Sequence, residues 1–149
     1  MNYDEVLKLE NQVCFSLYAA SKGVIKKYKP ILGRYNLTYT QYITMLVLWE
    51  HKKLSVKEIG DKLYLDSGTL TPVIKKLEGM NLVKKYRSDE DDRIVLVELT
   101  EEGVNLKEKV KDIPREIYCS TGMEVNELME LKGILDNLIQ KSLEIEKEK

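Results

Sequence analysis

Residues 65–93, LDSGTLTPVIKKLEGMNLVKKYRSDEDDR, limit the fold of this chain more than any other stretch. Asp66 or Ser67 is suited to cap a helix whose first turns carry short hydroxyl side chains, Ser67, Thr69 and Thr71. Val73, Ile74 and Leu77 follow at helical spacing and supply the face that seats it. A turn at Gly79 then leads into a basic strand, Leu82 to Tyr86, holding Lys84 and Lys85 and followed by Arg87. The acidic turn Asp89–Asp92 and Arg93 come next, and an alternating strand from Ile94 to Leu99 closes a hairpin. Short helix, tight turn, polar-tipped helix and charged hairpin, in that order, predict a winged helix–turn–helix.

The elements upstream fit that reading. Residues 5–28 repeat apolar positions at three- and four-residue steps (Val6, Leu9, Val13, Leu17, Ala20, Val24), which predicts a first helix ending or kinking at Pro30. Tyr39 to Glu50 reads as a second helix, capped by Thr38 or Thr40, with Ile43, Leu46, Val47 and Trp49 inward. Ser55 and Glu58 form a capping-box pair for a third helix, opened by Leu54-Ser55-Val56 and ending near residues 63–65. After the hairpin, a helix from Thr100 runs towards Ile117 with Pro114 interrupting it. A last one, about Val125 to Glu146, sets Leu128, Leu131, Leu135, Leu138 and Ile145 at heptad-like spacing. That stripe suits an intramolecular core or a dimer seam; the terminal helices have no evident core of their own, which favours the seam. The expected fold is mainly α with a small β-hairpin wing: 1–149 as one domain, 37–100 the DNA-binding region, 1–36 and 101–149 the dimerisation helices.

A formal charge of −1 looks wrong for a nucleic-acid binder, but its distribution does not. Between Lys52 and Ser88 stand nine lysines and arginines against four acids, and between Glu124 and Lys149 seven acids against four lysines. Basic charge therefore gathers at the proposed reading head. With no long apolar run or signal-peptide pattern, the chain reads as cytoplasmic with no membrane partner. Two cysteines, Cys14 and Cys119, and one histidine, His51, give no disulfide framework and no metal site. No nucleophile elbow, phosphate loop or paired-carboxylate cleft points to an enzyme or a cofactor.

The segments LENQVCFSLYAASK (9–22), KYKPIL (27–32), LTYTQY (37–42), LYLDSGTLTPVIKKLE (63–78) and RSDEDDRIVLVELTEEG (87–103) together resemble the MarR family of winged-helix repressors. Within it they look most like the peroxide-sensing branch of OhrR, SarZ and MgrA. That resemblance implies a homodimer on a palindromic double-stranded operator. Ser67, Thr69 and Thr71 would meet the major groove, Lys75 and Lys76 phosphate, and Arg93, oriented by Asp91, an A·T-rich minor groove. It also implies that Cys14 is a sensor thiol, hydrogen-bonded by Tyr28 and Tyr39 of the partner subunit, since phenol hydroxyls stabilise a thiolate. The signal would be an organic hydroperoxide, which suits the apolar neighbours Val13, Phe15 and Leu17 better than hydrogen peroxide. Cys119 is then either a resolving cysteine or incidental, and in the latter case a low-molecular-weight thiol takes its place. A MarR-type repressor released by a small aromatic or phenolic ligand is the other reading in that class. A thiol peroxidase, or a sequence-independent DNA-bridging protein, would leave the wing or the sensor motifs without a purpose.

Overall fold

The computed structural model describes residues 2–148. The chain divides into two compact units, the first ending at Asp112 and the second beginning at Ile113. The first unit opens with a single helical turn, α1 (Tyr3–Val6), a 3₁₀ turn at Leu9–Asn11, and a long α2 (Val13–Gly33). It continues through α3 (Tyr39–His51), β1 (Lys53–Ser55), α4 (Val56–Leu63) and α5 (Ser67–Gly79). Strands β2 (Val83–Arg87) and β3 (Val95–Leu99) and helix α6 (Glu101–Val110) complete it. The second unit holds α7 (Ile113–Thr121) and α8 (Val125–Lys147).

Side-chain caps set most helix starts. Thr38 accepts from the Gln41 amide at 3.3 Å while the Gln41 side chain takes the Thr38 N–H at 2.9 Å, a complete capping box for α3. Ser55 and Glu58 repeat it for α4 at 3.1 and 2.7 Å. Asp66 accepts from Thr69 N–H at 2.7 Å to open α5, and Thr100 from Gly103 N–H at 3.0 Å to open α6. Each such cap stabilises its helix by about 1 kcal/mol in ordinary contexts.

Four expectations from the sequence need correction. The first helix does not run unbroken from residue 5. The Asn11 amide donates to the Glu5 carbonyl at 2.7 Å and the Gln12 amide to the Val6 carbonyl at 2.6 Å, so side chains take carbonyls that a continuing helix would use. Nor does α2 stop at Pro30, which lies inside its last turns. There the missing N–H costs one bond, to the Lys26 carbonyl, on a stretch exposed to water. The inward face of α3 is made by Tyr42, Thr44, Met45 and Leu48, whereas Leu46 is exposed. The residues 100–117 form two helices, broken at Lys111–Asp112, with Pro114 in the first turn of α7, where its lack of an N–H is harmless.

The hairpin also gains a third strand. The sheet order is β1-β3-β2, all antiparallel, with Leu54 and Lys85 flanking Val97. Lys53–Ser55 was too short and too close to the α4 cap to stand out as a strand; β3 recruits it by pairing. The core of this unit gathers Met45, Leu48, Ile59, Leu70, Ile74, Leu77, Val83 and Val97, each at most 2% exposed. By contrast α2 buries only Leu32, and within α8 no residue is buried.

The start of α6 is wedged against the start of the wing. Thr100 N–H donates to the Leu82 carbonyl at 3.1 Å, and a Cβ on Gly103 would stand 2.1 Å from that same oxygen. The Gly103 carbonyl in turn accepts the Trp49 indole N–H at 2.8 Å, which ties the wedge to α3. Gly103→Ala is therefore expected to destabilise the protein by at least the upper part of the ~1–3 kcal/mol seen for overpacking. Gly133→Ala, in the open middle of α8, should instead stabilise by ~0.5–1 kcal/mol. Urea unfolding of both variants checks the contrast, and a neutral Gly103→Ala would refute the wedge.

Candidate nucleic-acid interface and thiol site

The first unit carries a wide groove between α5 and the wing. Ser67 and Thr71 form its helical wall, and Lys85, Arg87 and Arg93 stand on the wing side, with Lys57 at the end of the groove nearest α4. The register explains this placement. Lys85 and Arg87 pair with Val97 and Val95, so they continue the face of the sheet that packs on the core, beyond the point where the core ends. The strand is pinned to the helix as well, because Lys85 N–H donates to the Glu78 carboxylate at 3.2 Å.

Thr71 Oγ1 donates to the Ser67 carbonyl at 2.7 Å, one turn back on α5. Thr69 is exposed on the same helix, and Lys75 and Lys76 are exposed too; none of the three lines the groove. At the wing tip, Arg93 makes a forked pair with Asp91, Nε to Oδ1 and Nη2 to Oδ2, both 3.0 Å. The Arg93 backbone N–H also donates to Asp91 Oδ1 at 3.0 Å, so one carboxylate fixes both the turn and the side chain. The Arg93 side chain remains 89% exposed, held out in solvent by its root. Arg87 steadies the same loop by donating to the Asp92 carbonyl at 2.7 Å.

Lys57, Lys85 and Arg87 were absent from the residues singled out as DNA contacts. The basic run of the strand was visible in the sequence. What was not visible was which of its alternate residues would face the groove, since that depends on register.

The carboxylates here are held low. Hydrogen bonds from Arg93 keep the Asp91 carboxyl below its ordinary value, and the Thr69 side chain and N–H do so for Asp66. A depressed folded value means that the Asp66 contribution is complete above the unfolded carboxylate range, near pH ~4, and is lost as pH falls through the lower folded value. Replacing Asp66 by Asn should thus destabilise α5 at pH 7. The gap from wild type should narrow below pH ~4, which thermal unfolding across pH 2–7 would register.

A second cluster lies where α2 meets α3. The Tyr28 ring is 4.8 Å from that of Tyr39, tilted by 57°, and 5.9 Å from that of Tyr42, tilted by 42°. Burial pushes the Tyr39 phenol up; burial and then the nearness of Tyr39 do the same for Tyr42. Both therefore stay neutral hydroxyls around neutral pH. Cys14 is exposed in the first turn of α2, beside exposed Val13 and Phe15. Cys14 and Tyr28 share that helix, fourteen positions apart. That is about 21 Å along the axis and just short of four turns, so they occupy one face within about 40°. The sulfur and the tyrosines are thus brought to the same side of α2 but not into contact within one chain. Cys119, in the second unit, is exposed on α7. Among the described residues no helix is long and apolar enough to cross a membrane.

Comparison with known proteins agrees with the winged-helix fold. The family described as transcriptional regulator SarA/Rot matches residues 26–110. An organic hydroperoxide resistance transcriptional regulator of Bacillus subtilis (strain 168) is 50% identical over 134 residues, 90% of this chain and 91% of that protein. The HTH-type transcriptional regulator SarZ of Staphylococcus saprophyticus is 41% identical over 89% of this chain and 91% of its own. Among solved structures, reduced AbfR bound to DNA is similar at a TM-score of 0.80 with 33% identity, over 95% of this chain and 96% of that one. AbfR, known from Staphylococcus epidermidis, has also been solved overoxidised on DNA, at a TM-score of 0.76 and 32% identity over 93% of this chain and 98% of that one. Its disulfide form matches at 0.62 and 34% over 99% and 97%. With its helix–turn–helix, its three-stranded wing and this similarity along nearly the whole length, the chain belongs to the SarA/Rot family of MarR-like winged-helix transcriptional regulators.

Proposed function

We propose that this protein is a homodimeric repressor that holds a palindromic operator while Cys14 is reduced and releases it when an organic hydroperoxide oxidises Cys14. The observation that carries the reading is the spacing on α2. Cys14 and Tyr28 share a face but lie about 21 Å apart, so a thiol–phenol contact needs a second copy. Two α2 helices crossing antiparallel about Ser21 bring each Cys14 opposite Tyr28 of the partner subunit, with Tyr39 beside it. The exposed apolar side chains of α2, including Val13, Leu17, Val24 and Ile25, supply surface for that pairing. The relative named for organic hydroperoxide resistance, and AbfR in reduced, overoxidised and disulfide forms, support the same chemistry here.

The chemistry is a two-electron oxidation. The Cys14 thiolate attacks one peroxide oxygen, the O–O bond breaks, and the alkoxide leaves and takes a proton. Sulfur ends as a sulfenic acid and the hydroperoxide as an alcohol. A second thiol, Cys119 or a low-molecular-weight thiol, then attacks the sulfenic sulfur, forming a disulfide and releasing water. The Tyr28 and Tyr39 hydroxyls donate to the thiolate but not to the oxidised sulfur in the same geometry. Oxidation therefore changes the contact between the two α2 helices, and that difference is what shifts the reading heads.

On the operator, Ser67, Thr69 and Thr71 meet base edges, Lys75, Lys76 and Lys85 lie near phosphate, and Arg93, fixed by Asp91, enters a narrow minor groove. Lys85→Ala should weaken binding to all sequences alike and reduce the salt slope by about one. Arg93→Ala should cost most on A·T-rich flanks, and a uniform loss across sequences would overturn its minor-groove role.

The deciding experiment is DNA binding by fluorescence anisotropy on an A·T-rich palindrome from the protein's own promoter. It compares the reduced protein, the protein after stoichiometric cumene hydroperoxide, and the protein after added dithiothreitol. Release that dithiothreitol reverses, and that Cys14→Ser abolishes, is the expected result. Cys119→Ser separates the two resolving thiols: release that then needs added thiol assigns the role to Cys119. Peroxide-indifferent binding would sink the sensor and leave a repressor released by a small aromatic ligand.

A further inference from the structure

The sensing pair contains a third tyrosine. Tyr42 lies one turn after Tyr39 on α3, is only 3% exposed, and places its ring 5.9 Å from that of Tyr28. Tyr28 and Tyr39 are partly exposed, with rings 4.8 Å apart. The three rings thus form a tilted cluster in which Tyr42 is anchored by the core and the other two reach the surface.

The anchoring matters because α2 has little else to hold it. Of its residues only Leu32 is buried, four positions beyond Tyr28, and most of the others are exposed. The direction in which α2 leaves the core is therefore set by Leu32 and by the ring contacts at Tyr28. A tilt of a few degrees there displaces the Cys14 end, ~21 Å further along the axis, by more than the tolerance of a hydrogen bond.

We propose that Tyr42 is a positioning residue for the sensor. Its buried ring is the floor on which Tyr28 rests, and through Tyr28 it sets both the place of the donating phenols and the course of α2 towards the thiol. Its hydroxyl has no part in this; the flat ring does. The proposal rests on the reading of Cys14 as sensor given above.

The test compares Tyr42→Phe, which keeps the ring, with Tyr42→Leu, which removes it. Three quantities are measured in the full-length protein: the second-order rate of Cys14 oxidation by cumene hydroperoxide, the DNA affinity of the reduced form, and the fluorine NMR signal of Tyr28. The last uses 3-fluorotyrosine labelling, assigned with Tyr28→Phe. Tyr42→Phe should oxidise at the wild-type rate with the Tyr28 signal unmoved. Tyr42→Leu should displace or broaden that signal and slow oxidation by about tenfold, the scale of one lost hydrogen bond, and weaken operator binding by the reduced form, because the course of α2 shifts with the ring. Should the leucine variant not fold, Tyr42→Met, unbranched and more adaptable, reaches further into the same space and carries the same expectation. Wild-type oxidation with an unmoved Tyr28 signal in Tyr42→Leu, or a slowed Tyr42→Phe, overturns the proposal. Failure of the sensor reading looks different: Cys14 of the wild type would itself stay unreactive, while Tyr42→Leu still moved Tyr28.

Discussion

The carbonyl oxygen of Leu82 leaves no room for a Cβ at Gly103, and much of the geometry at the base of the wing follows from that close approach. The same oxygen accepts from Thr100. Because Thr100 also caps α6, and its hydroxyl donates to the Asn81 carbonyl at 2.6 Å, the end of the wing and the beginning of the next helix are one structure. Trp49 extends the junction to α3 through the Gly103 carbonyl. A wing joined this firmly at its base can keep a charged tip in solvent without losing its bearing. At the tip, the Asp91–Arg93 fork and the bond from Arg87 to the Asp92 carbonyl fix what remains.

The helix α3 links the two regions that the proposed switch must couple. Its N-terminal end carries Tyr39 and Tyr42 beside α2, and its C-terminal end runs through Lys52 into β1, which pairs with β3 of the wing. Lys52 adopts φ 65° and ψ −44°, a backbone conformation that a lysine takes only under constraint. Its N–H and carbonyl are both engaged, to Leu48 at 2.7 Å and from Leu99 at 3.1 Å. A displacement at the tyrosines thus meets little slack before it reaches the sheet. The N-terminal flank of α2, by contrast, is exposed along most of its length, and the proposed dimeric switch would exploit that asymmetry: one end stiff, the other supplied by a partner.

How much of this could be read in the sequence depended on whether the signal was local. The cap at Ser55, the choice of Asp66 or Ser67 for α5, the helix start at Thr100 and the order of helices and wing are written in adjacent residues, and they were legible. The break before Val13 was not, because apolar periodicity continued through it while Asn11 and Gln12 redirected their amides onto nearby carbonyls. The phase of α3 was misjudged at Leu46, since an apolar side chain left in solvent has the same letter as one in the core. β1 exists only because β3 is there to pair with it. Lys85 and Arg87 escaped for a related reason, as their facing is a property of register. At the thiol, Cys14, Tyr28 and Tyr39 came from motif resemblance, whereas Tyr42 had no signal except its place three residues on from Tyr39.

The bond from Thr71 to the Ser67 carbonyl has a consequence for what the groove recognises. A hydroxyl that has given its proton to the backbone keeps only lone pairs. While that bond holds, Thr71 presents an acceptor and a methyl group. In a major groove such a surface favours the amino edges of adenine and cytosine and the thymine methyl, and meets the guanine carbonyl edge oxygen to oxygen. With Thr71 at the base edges, as proposed above, part of the base preference is thus decided inside the helix, before any DNA arrives.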